Sequence, residues 1–172
     1  QWIDLWASWH LGRWSALTRL SDAMFADATR RNDLFQQLVT TGGFGGAAWL
    51  VRDRLDELKK IRDNSTKYHS KSDQTQMFQL FDWIVSIQVL VDAGSYDEAW
   101  TEYRSMEARL RKMPFSRLQL SRVVRQSLGA LVALHNLNAD GSDLWVKRVR
   151  DLTHELRKEQ ISFARVLANL YE

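Results

Sequence analysis

Four short breaks interrupt an otherwise continuous pattern of apolar residues, and their spacing constrains the fold more than any other feature. Apolar residues recur three or four positions apart along almost the whole chain, which is typical of amphipathic helices. The breaks fall near Gly12, at Arg52–Asp53, near Gly94 and near Gly141, at spacings of about 40, 42 and 47 residues. A near-regular series of helix pairs is typical of solenoid-like stacks. We therefore expect an all-α chain with about eight helices in four stacked antiparallel hairpins.

The composition supports a single folded domain over residues 1–172. Hydrophobic residues make up 45% of the chain, which argues against disorder, and 172 residues can bury a sizeable core. Pro114 is the only proline, which suits long helices because proline interrupts them. The sequence begins with Gln1 rather than methionine, so we interpret it as a fragment of a longer protein. A globular bundle of unrelated helices is the alternative to a stack.

The helical pattern can be divided into eight segments. Asn32 and Asp33 precede the third segment as candidate caps, and the glycine-rich run 42–46 interrupts or kinks it. The polar segment 63–73 is expected to be a loop or a frayed helix end. The fifth segment is apolar around much of its circumference and is expected to be central. The predicted helices cover residues 2–9, 14–28, 34–51, 54–61, 77–91, 96–110, 118–134 and 144–170.

The segment Gly94–Ala99 resembles the turn of a tetratricopeptide repeat. In such repeats, glycine ends the first helix, an aromatic residue packs at the start of the second, and a small residue allows the helices to approach closely. Trp83 lies where these repeats carry a large residue, and Gly12-Arg13-Trp14 is a weaker example of the turn. The resemblance implies an irregular, right-handed, tetratricopeptide-like array.

A second resemblance covers most of the chain. It is carried by six segments in this order: Arg31–Phe35, Ala48–Leu50, Phe78–Trp83, Gly94–Trp100, a basic stretch ending at Pro114, and Leu118–Arg122. Their order is similar to the C-terminal helical region that follows the catalytic domain in some bacterial serine/threonine protein kinases. The resemblance implies a cytoplasmic kinase as the parent and a non-catalytic regulatory or protein-interaction module here. A helical-repeat domain of another bacterial signalling or transcription-regulatory protein is the alternative.

The residue types required by several kinds of chemistry are missing. The sequence has no Gly-rich loop followed by a strand lysine, and no His-Arg-Asp or Asp-Phe-Gly triplet, so the fragment itself is not expected to transfer phosphate. Cysteine is absent, and the four histidines are far apart, so we expect no catalytic residue, no metal and no cofactor. The glycine-rich run 42–46 lacks the lysine and hydroxyl residue of a phosphate loop. An enzyme that uses a groove between helices remains a third hypothesis.

Charge and hydropathy limit the class of partner. The net charge is only +3, with 24 basic and 21 acidic residues, so we do not expect nucleic acid to be the partner. No run of about 18 apolar residues occurs, so we do not expect a membrane partner. The segment from Arg104 to Arg125 is different, because it holds seven basic residues and only Glu107 opposes them. It indicates a surface for an acidic or phosphorylated protein segment, or a solvated face that pairs with the neighbouring acids Asp92, Asp97, Glu98 and Glu102.

Tryptophans along the first helix are either core residues or a docking surface for a partner protein. Helix geometry suggests which side chains face a partner on the concave side of a stack. The candidate contact residues are Trp6, Trp9 and His10 from the first helix, Gln88 and Asp92 from the fifth, and Arg122 and Arg125 from the seventh.

Overall fold

A computed structural model of the chain describes residues 2–66 and 76–171. Within these two ranges the secondary structure consists of ten α-helices and one 3₁₀ helix, without strands, so the all-α prediction is confirmed. No helix in these ranges is long and apolar enough to cross a membrane. The helices are α1 Trp2–His10, α2 Trp14–Arg30, α3 Leu34–Thr41, α4 Gly43–Leu50, α5 Leu55–Thr66, α6 Gln76–Asp92, α7 Tyr96–Leu110, the 3₁₀ helix Pro114–Arg117, α8 Gln119–Asp140, α9 Asp143–Lys158 and α10 Ser162–Leu170.

Two of the eight predicted helices are divided in the structure, so the predicted number is too low. The glycine-rich run separates α3 from α4, because Gly42 is extended and Gly43 adopts a positive φ of 50°. The prediction of one helix over residues 144–170 is wrong. Glu159 and Ile161 are both extended, and they separate α9 from α10. Residues 63–73 were predicted to be a loop or a frayed helix end. Helix α5 continues to Thr66, so residues 63–66 are the end of a helix and not a loop, and residues 67–73 lie outside the described residues.

All four predicted turns lie between helices. Each contains a residue in the left-handed conformation, with φ of 63° at Gly12, 56° at Asp53, 75° at Gly94 and 68° at Gly141. Three of these residues are glycines, which adopt such angles without steric cost. The predicted cap before α3 is confirmed as well, because the carboxylate of Asp33 accepts a hydrogen bond from a backbone N–H of the first turn.

The chain divides into two compact units, Gln1–Val85 and Ser86–Glu172. In the first unit, α1 packs on α2, and α2 packs on α3 and α4. Small residues bring α4 close to α6, because a Cβ at Gly43 would lie 2.7 Å from Phe81 Cδ1 and one at Gly46 would lie 2.4 Å from Val85 Cγ2. A core cluster of this unit consists of Leu5, Leu17, Met24, Ala47 and Ala48, with Trp9 and Leu20 packed against it.

In the second unit, α8 packs against α7 on one side and α9 on another, and α10 packs on α8 and α9. The packing is antiparallel, since the start of α7 lies beside the end of α8 and the start of α8 lies beside the end of α9. The tetratricopeptide-like stacking and the single-domain organisation stay predictions. Two apolar clusters hold the helices together: Val123, Leu156, Ala164 and Ala168 in one, and Ala133, Trp145 and Val149 in the other.

Candidate interaction site

The antiparallel packing of the second unit gives it two distinct ends. At one end, the Asn136 side-chain amide donates a hydrogen bond to the carbonyl of Tyr96 at 3.1 Å, and the Tyr96 ring stacks on His135 at 5.3 Å. These contacts place the α6–α7 turn beside the α8–α9 turn. At the other end, Arg125 contacts Glu107 at 3.3 Å and Arg122 contacts Glu159 at 2.7 Å, so the end of α7, the first turns of α8 and the end of α9 lie together.

Acidic residues collect at the first of these ends. We call residues 92–98 and 140–144 the acidic end, because they contain five acids and no basic residue. A hydrogen bond from the backbone N–H of Ser142, together with one from the indole of Trp145, lowers the pKa of Asp140. Leu144 is 55% exposed at the same place. The five acids are Asp92, Asp97, Glu98, Asp140 and Asp143.

Basic residues collect at the opposite end. We call residues 107–125 and 155–159 the basic end; they contain eight basic residues and three acids. All three acids form ion pairs within the chain. The basic residues are Arg109, Arg111, Lys112, Arg117, Arg122, Arg125, Arg157 and Lys158.

Arg122 joins the start of α8 to the end of α9. Its guanidinium binds Glu159 through two hydrogen bonds, Nε to Oε1 at 2.7 Å and Nη2 to Oε2 at 2.8 Å. A third donor of the same group binds the carbonyl of Arg117. The Glu159 side chain is only 8% exposed, and the two hydrogen bonds from Arg122 hold the pKa of its carboxyl below the usual value. The Arg122 guanidinium therefore stabilises contacts within the chain, between the start of α8 and the end of α9.

The other two acids of the basic end are also paired. The Glu107 carboxylate accepts a hydrogen bond from Arg111 at 3.0 Å and one from Arg125 at 3.3 Å. The first of these contacts raises the pKa of Arg111. Glu155 pairs with Lys158 at 2.6 Å. In one interpretation of the sequence, acids around α7 such as Glu98 pair with the basic segment. Among the described residues, Glu107 and Glu159 instead pair with three of its arginines.

Two cations remain at the α7–α8 connection. Lys112 and Arg117 are exposed, and no carboxylate of the described residues pairs with either one. Beside them, Leu118 is 59% exposed and Leu120 is 49% exposed. Leu118 begins α8 without a side-chain cap, and the first turn has no acid, so the positive end of the helix dipole adds to the local potential. We call residues 111–120 the basic corner.

The helix dipole does not account for the whole separation of charge. Acids at helix N-termini and bases at C-termini are ordinary, and Asp97 in α7 and Lys158 in α9 follow that preference. In α8 the preference is reversed, because its N-terminal part lies at the basic end with Arg122, and its last residue is Asp140. Thus the basic end is not simply a by-product of helix capping.

The predicted contact residues lie in different parts of the chain. The side chains of Trp6 and His10 lie outside the described residues. Trp9 is half-buried against the core of the first unit, which favours the core-packing interpretation of the tryptophans. Gln88 lies partly buried on α6, and its Oε1 has no hydrogen-bond partner among the described residues. Asp92 is exposed at the end of α6.

Of the predicted set, Arg122 and Arg125 alone lie at the basic end, and both pair within the chain. Sequence reasoning counted Lys112 and Arg117 in the basic segment but did not select them. The signal that singles them out is their place in the connection around Pro114, outside the helical pattern. The role of all seven predicted residues in partner binding stays a prediction.

The described residues contain no group of three or more histidine, aspartate and glutamate side chains that could hold a metal ion. No protein-family model, curated protein or solved structure matches the chain. The charges and exposed apolar residues of the second unit are therefore the basis for a functional proposal.

Proposed function

We propose that the chain is a non-catalytic helical module that binds an acidic or phosphorylated segment of a protein at the basic corner. One observation carries the proposal: Lys112 and Arg117 are exposed and no carboxylate of the described residues pairs with them, whereas Arg122 and Arg125 pair within the chain. An anionic segment would supply the missing partners. Carboxylates and phosphates form the strongest hydrogen bonds with such cations.

Charge and apolar contact contribute differently to this binding. An exposed ion pair contributes only about 0.2–1 kcal/mol, so two cations give modest affinity by themselves. Burying a leucine side chain contributes about 1.5–3 kcal/mol when the burial is complete, and Leu118 and Leu120 lie directly beside the cations. We therefore expect a segment with both acidic and apolar residues to bind more tightly than a purely acidic one.

The wider context is also a proposal. The chain is a tetratricopeptide-like region of a cytoplasmic bacterial serine/threonine protein kinase, and it recruits substrates to that kinase or regulates it. The turn at Gly94 supports the repeat-like part, because Ala99 is fully buried and Gly129 lets Tyr103 approach α8 closely. A helical-repeat domain of another bacterial signalling or transcription-regulatory protein is the second candidate, and the sequence of the full-length gene product would separate the two.

Fluorescence anisotropy with a labelled peptide of alternating glutamate and leucine tests the basic corner. The test variant carries Lys112→Glu and Arg117→Glu. The control variant carries Lys147→Glu and Arg150→Glu, which make the same change in charge at exposed positions of α9. We expect the test variant to lose binding at least tenfold and the control to bind like the wild type, with affinity falling as salt rises.

A third variant separates the apolar contribution from the charges. Leu118→Ser with Leu120→Ser leaves every charge in place, and it is expected to weaken binding without changing the salt dependence. A phosphoserine version of the peptide shows whether phosphate is preferred over carboxylate. Equal loss of binding in the test and control variants would show that the peptide responds to net charge, and the basic corner would then have no special role.

A further inference from the structure

The two ends of the second unit present opposite charges around the same kind of apolar residue. At the acidic end, Leu144 is 55% exposed, and residues 92–98 and 140–144 contain five acids and no basic residue; Lys147 and Arg148 follow on the next turn of α9. At the basic corner, Leu118 and Leu120 are 59% and 49% exposed beside Lys112 and Arg117. An apolar centre with a charged rim is the usual anatomy of a protein interface, and here each end complements the other.

We propose that the acidic end of one copy binds the basic corner of a second copy, head to tail. The proposal rests on the proposed function, since it uses the same corner, and it names the acidic partner as a second copy of this chain. The interface is heterologous, because two different surfaces meet. Such a pair keeps one free acidic end on one copy and one free basic corner on the other, so further copies can add.

The fold prevents the two surfaces from meeting within one molecule. Helix α8 runs from the basic corner to the acidic end over 22 residues, which corresponds to about 33 Å at 1.5 Å per residue. The Debye length at physiological ionic strength is about 8 Å, so the two ends do not neutralise each other through solvent. Their complementary charges are therefore available to another molecule.

Among the described residues of this unit, the ion pairs do not link the acidic end to the basic corner. Intramolecular pairing uses Glu107, Glu155 and Glu159, which are the acids of the basic end itself. The exposed acids Asp97 and Asp143 form no ion pair with the described residues. The exposed acids Asp97 and Asp143 and the exposed cations Lys112 and Arg117 are thus opposite in sign and lie at opposite ends of the unit.

Sedimentation velocity on the full 172-residue chain at low ionic strength tests this proposal. The wild type is expected to associate in a concentration-dependent manner and to become monomeric in about 1 M salt, where the Debye length falls to about 3 Å. Lys112→Glu with Arg117→Glu, and separately Asp97→Lys with Asp143→Lys, are each expected to weaken association at least tenfold. Circular dichroism of each variant checks that the helices remain folded.

Mixing the two variants provides the decisive arm. The first retains a native acidic end and the second retains a native basic corner, so a mixture is expected to form a one-to-one complex although neither variant associates alone. Arg104→Glu with Arg150→Glu, which make the same change in charge at exposed positions midway along α7 and α9, should associate like the wild type. Leu118→Ser with Leu120→Ser should weaken association, which nonspecific attraction between charged proteins would not explain.

The outcomes distinguish this proposal from the one before it. A wild-type chain that stays monomeric at low salt yet binds the glutamate–leucine peptide overturns self-association and leaves the basic corner as a site for other partners. Loss of both activities overturns both proposals. Association that persists unchanged in the Lys112→Glu, Arg117→Glu variant assigns the interface to another surface and also overturns the proposal.

Discussion

Replacing Gly129 with alanine tests how closely α7 and α8 pack in the second unit. A Cβ built at Gly129 would lie 2.5 Å from both Cζ and Oη of Tyr103 and 2.9 Å from its Cε2. The Tyr103 side chain is 2% exposed, and its ring stacks on Trp100 at 5.1 Å. The ring must therefore move by roughly 1 Å to restore ordinary van der Waals contact, in surroundings that leave it little space.

Two opposing effects set the size of the change. Alanine is favoured over glycine in a helix interior by about 1 kcal/mol. Overpacking of a well-packed core costs about 1–3 kcal/mol. We expect Gly129→Ala to lower the free energy of unfolding by about 1 kcal/mol, and Tyr103→Leu to lower it by about 2 kcal/mol because aromatic contacts are lost. With the ring removed, Gly129→Ala should instead raise the free energy of unfolding by about 1 kcal/mol.

Urea unfolding of the four proteins in this double-mutant cycle measures the coupling. The predicted coupling energy is about 2 kcal/mol, and its sign shows that the alanine is tolerated better without the tyrosine. Near-ultraviolet circular dichroism follows the Trp100–Tyr103 stack in parallel. If Gly129→Ala stabilises the wild-type chain, or if its effect is the same in both backgrounds, the close approach of α7 to α8 is refuted.

Three further changes test other parts of the structure. Gly46→Ala should lower the free energy of unfolding of the first unit, measured in urea, by about 2–3 kcal/mol. The reason is that the new Cβ would lie 2.4 Å from Val85 Cγ2 and 2.8 Å from the Thr41 carbonyl oxygen. An effect smaller than that of Gly129→Ala would contradict this prediction. Gly94→Ala should cost only about 1 kcal/mol of backbone strain, since φ is 75° and nothing lies within 4 Å. The wild type should lose stability as pH falls from about 4.5 through the lowered pKa of Glu159, because the folded state binds the ionised carboxylate. The Glu159→Gln variant should have a lower urea midpoint that changes less with pH over that range. Identical pH profiles of the two proteins would exclude a stabilising role for the ionised carboxylate.

The turns of the fold were predictable because their cause is local. Gly12, Gly94 and Gly141 each combine a break in the apolar period with a residue that tolerates positive φ. The interruption of the third helix was predictable for the same reason, since the glycine-rich run 42–46 is visible in the sequence. The all-α class followed from the period of the apolar residues, but the number of helices did not, since two of the eight predicted helices are divided.

The break between α9 and α10 was missed because its setting is tertiary. Neither glycine nor proline occurs between Arg157 and Ile161, so nothing local ends the helical pattern. The structure instead holds Glu159 in extended backbone and binds its carboxylate to Arg122, which lies 37 positions earlier in the chain. An ion pair of that separation cannot be read from the period of a single segment.

Only part of the candidate site could be predicted from the sequence, for a related reason. Counting charges identifies the basic segment, but the count does not show which cations the fold uses. Helix α8 illustrates the difference: its N-terminal part carries Arg122, contrary to the dipole preference, and Glu159 compensates that charge from a neighbouring helix. No such compensation among the described residues reaches Lys112 or Arg117. The proposed partner surface rests on these two cations, which the described residues leave unneutralised beside exposed leucines.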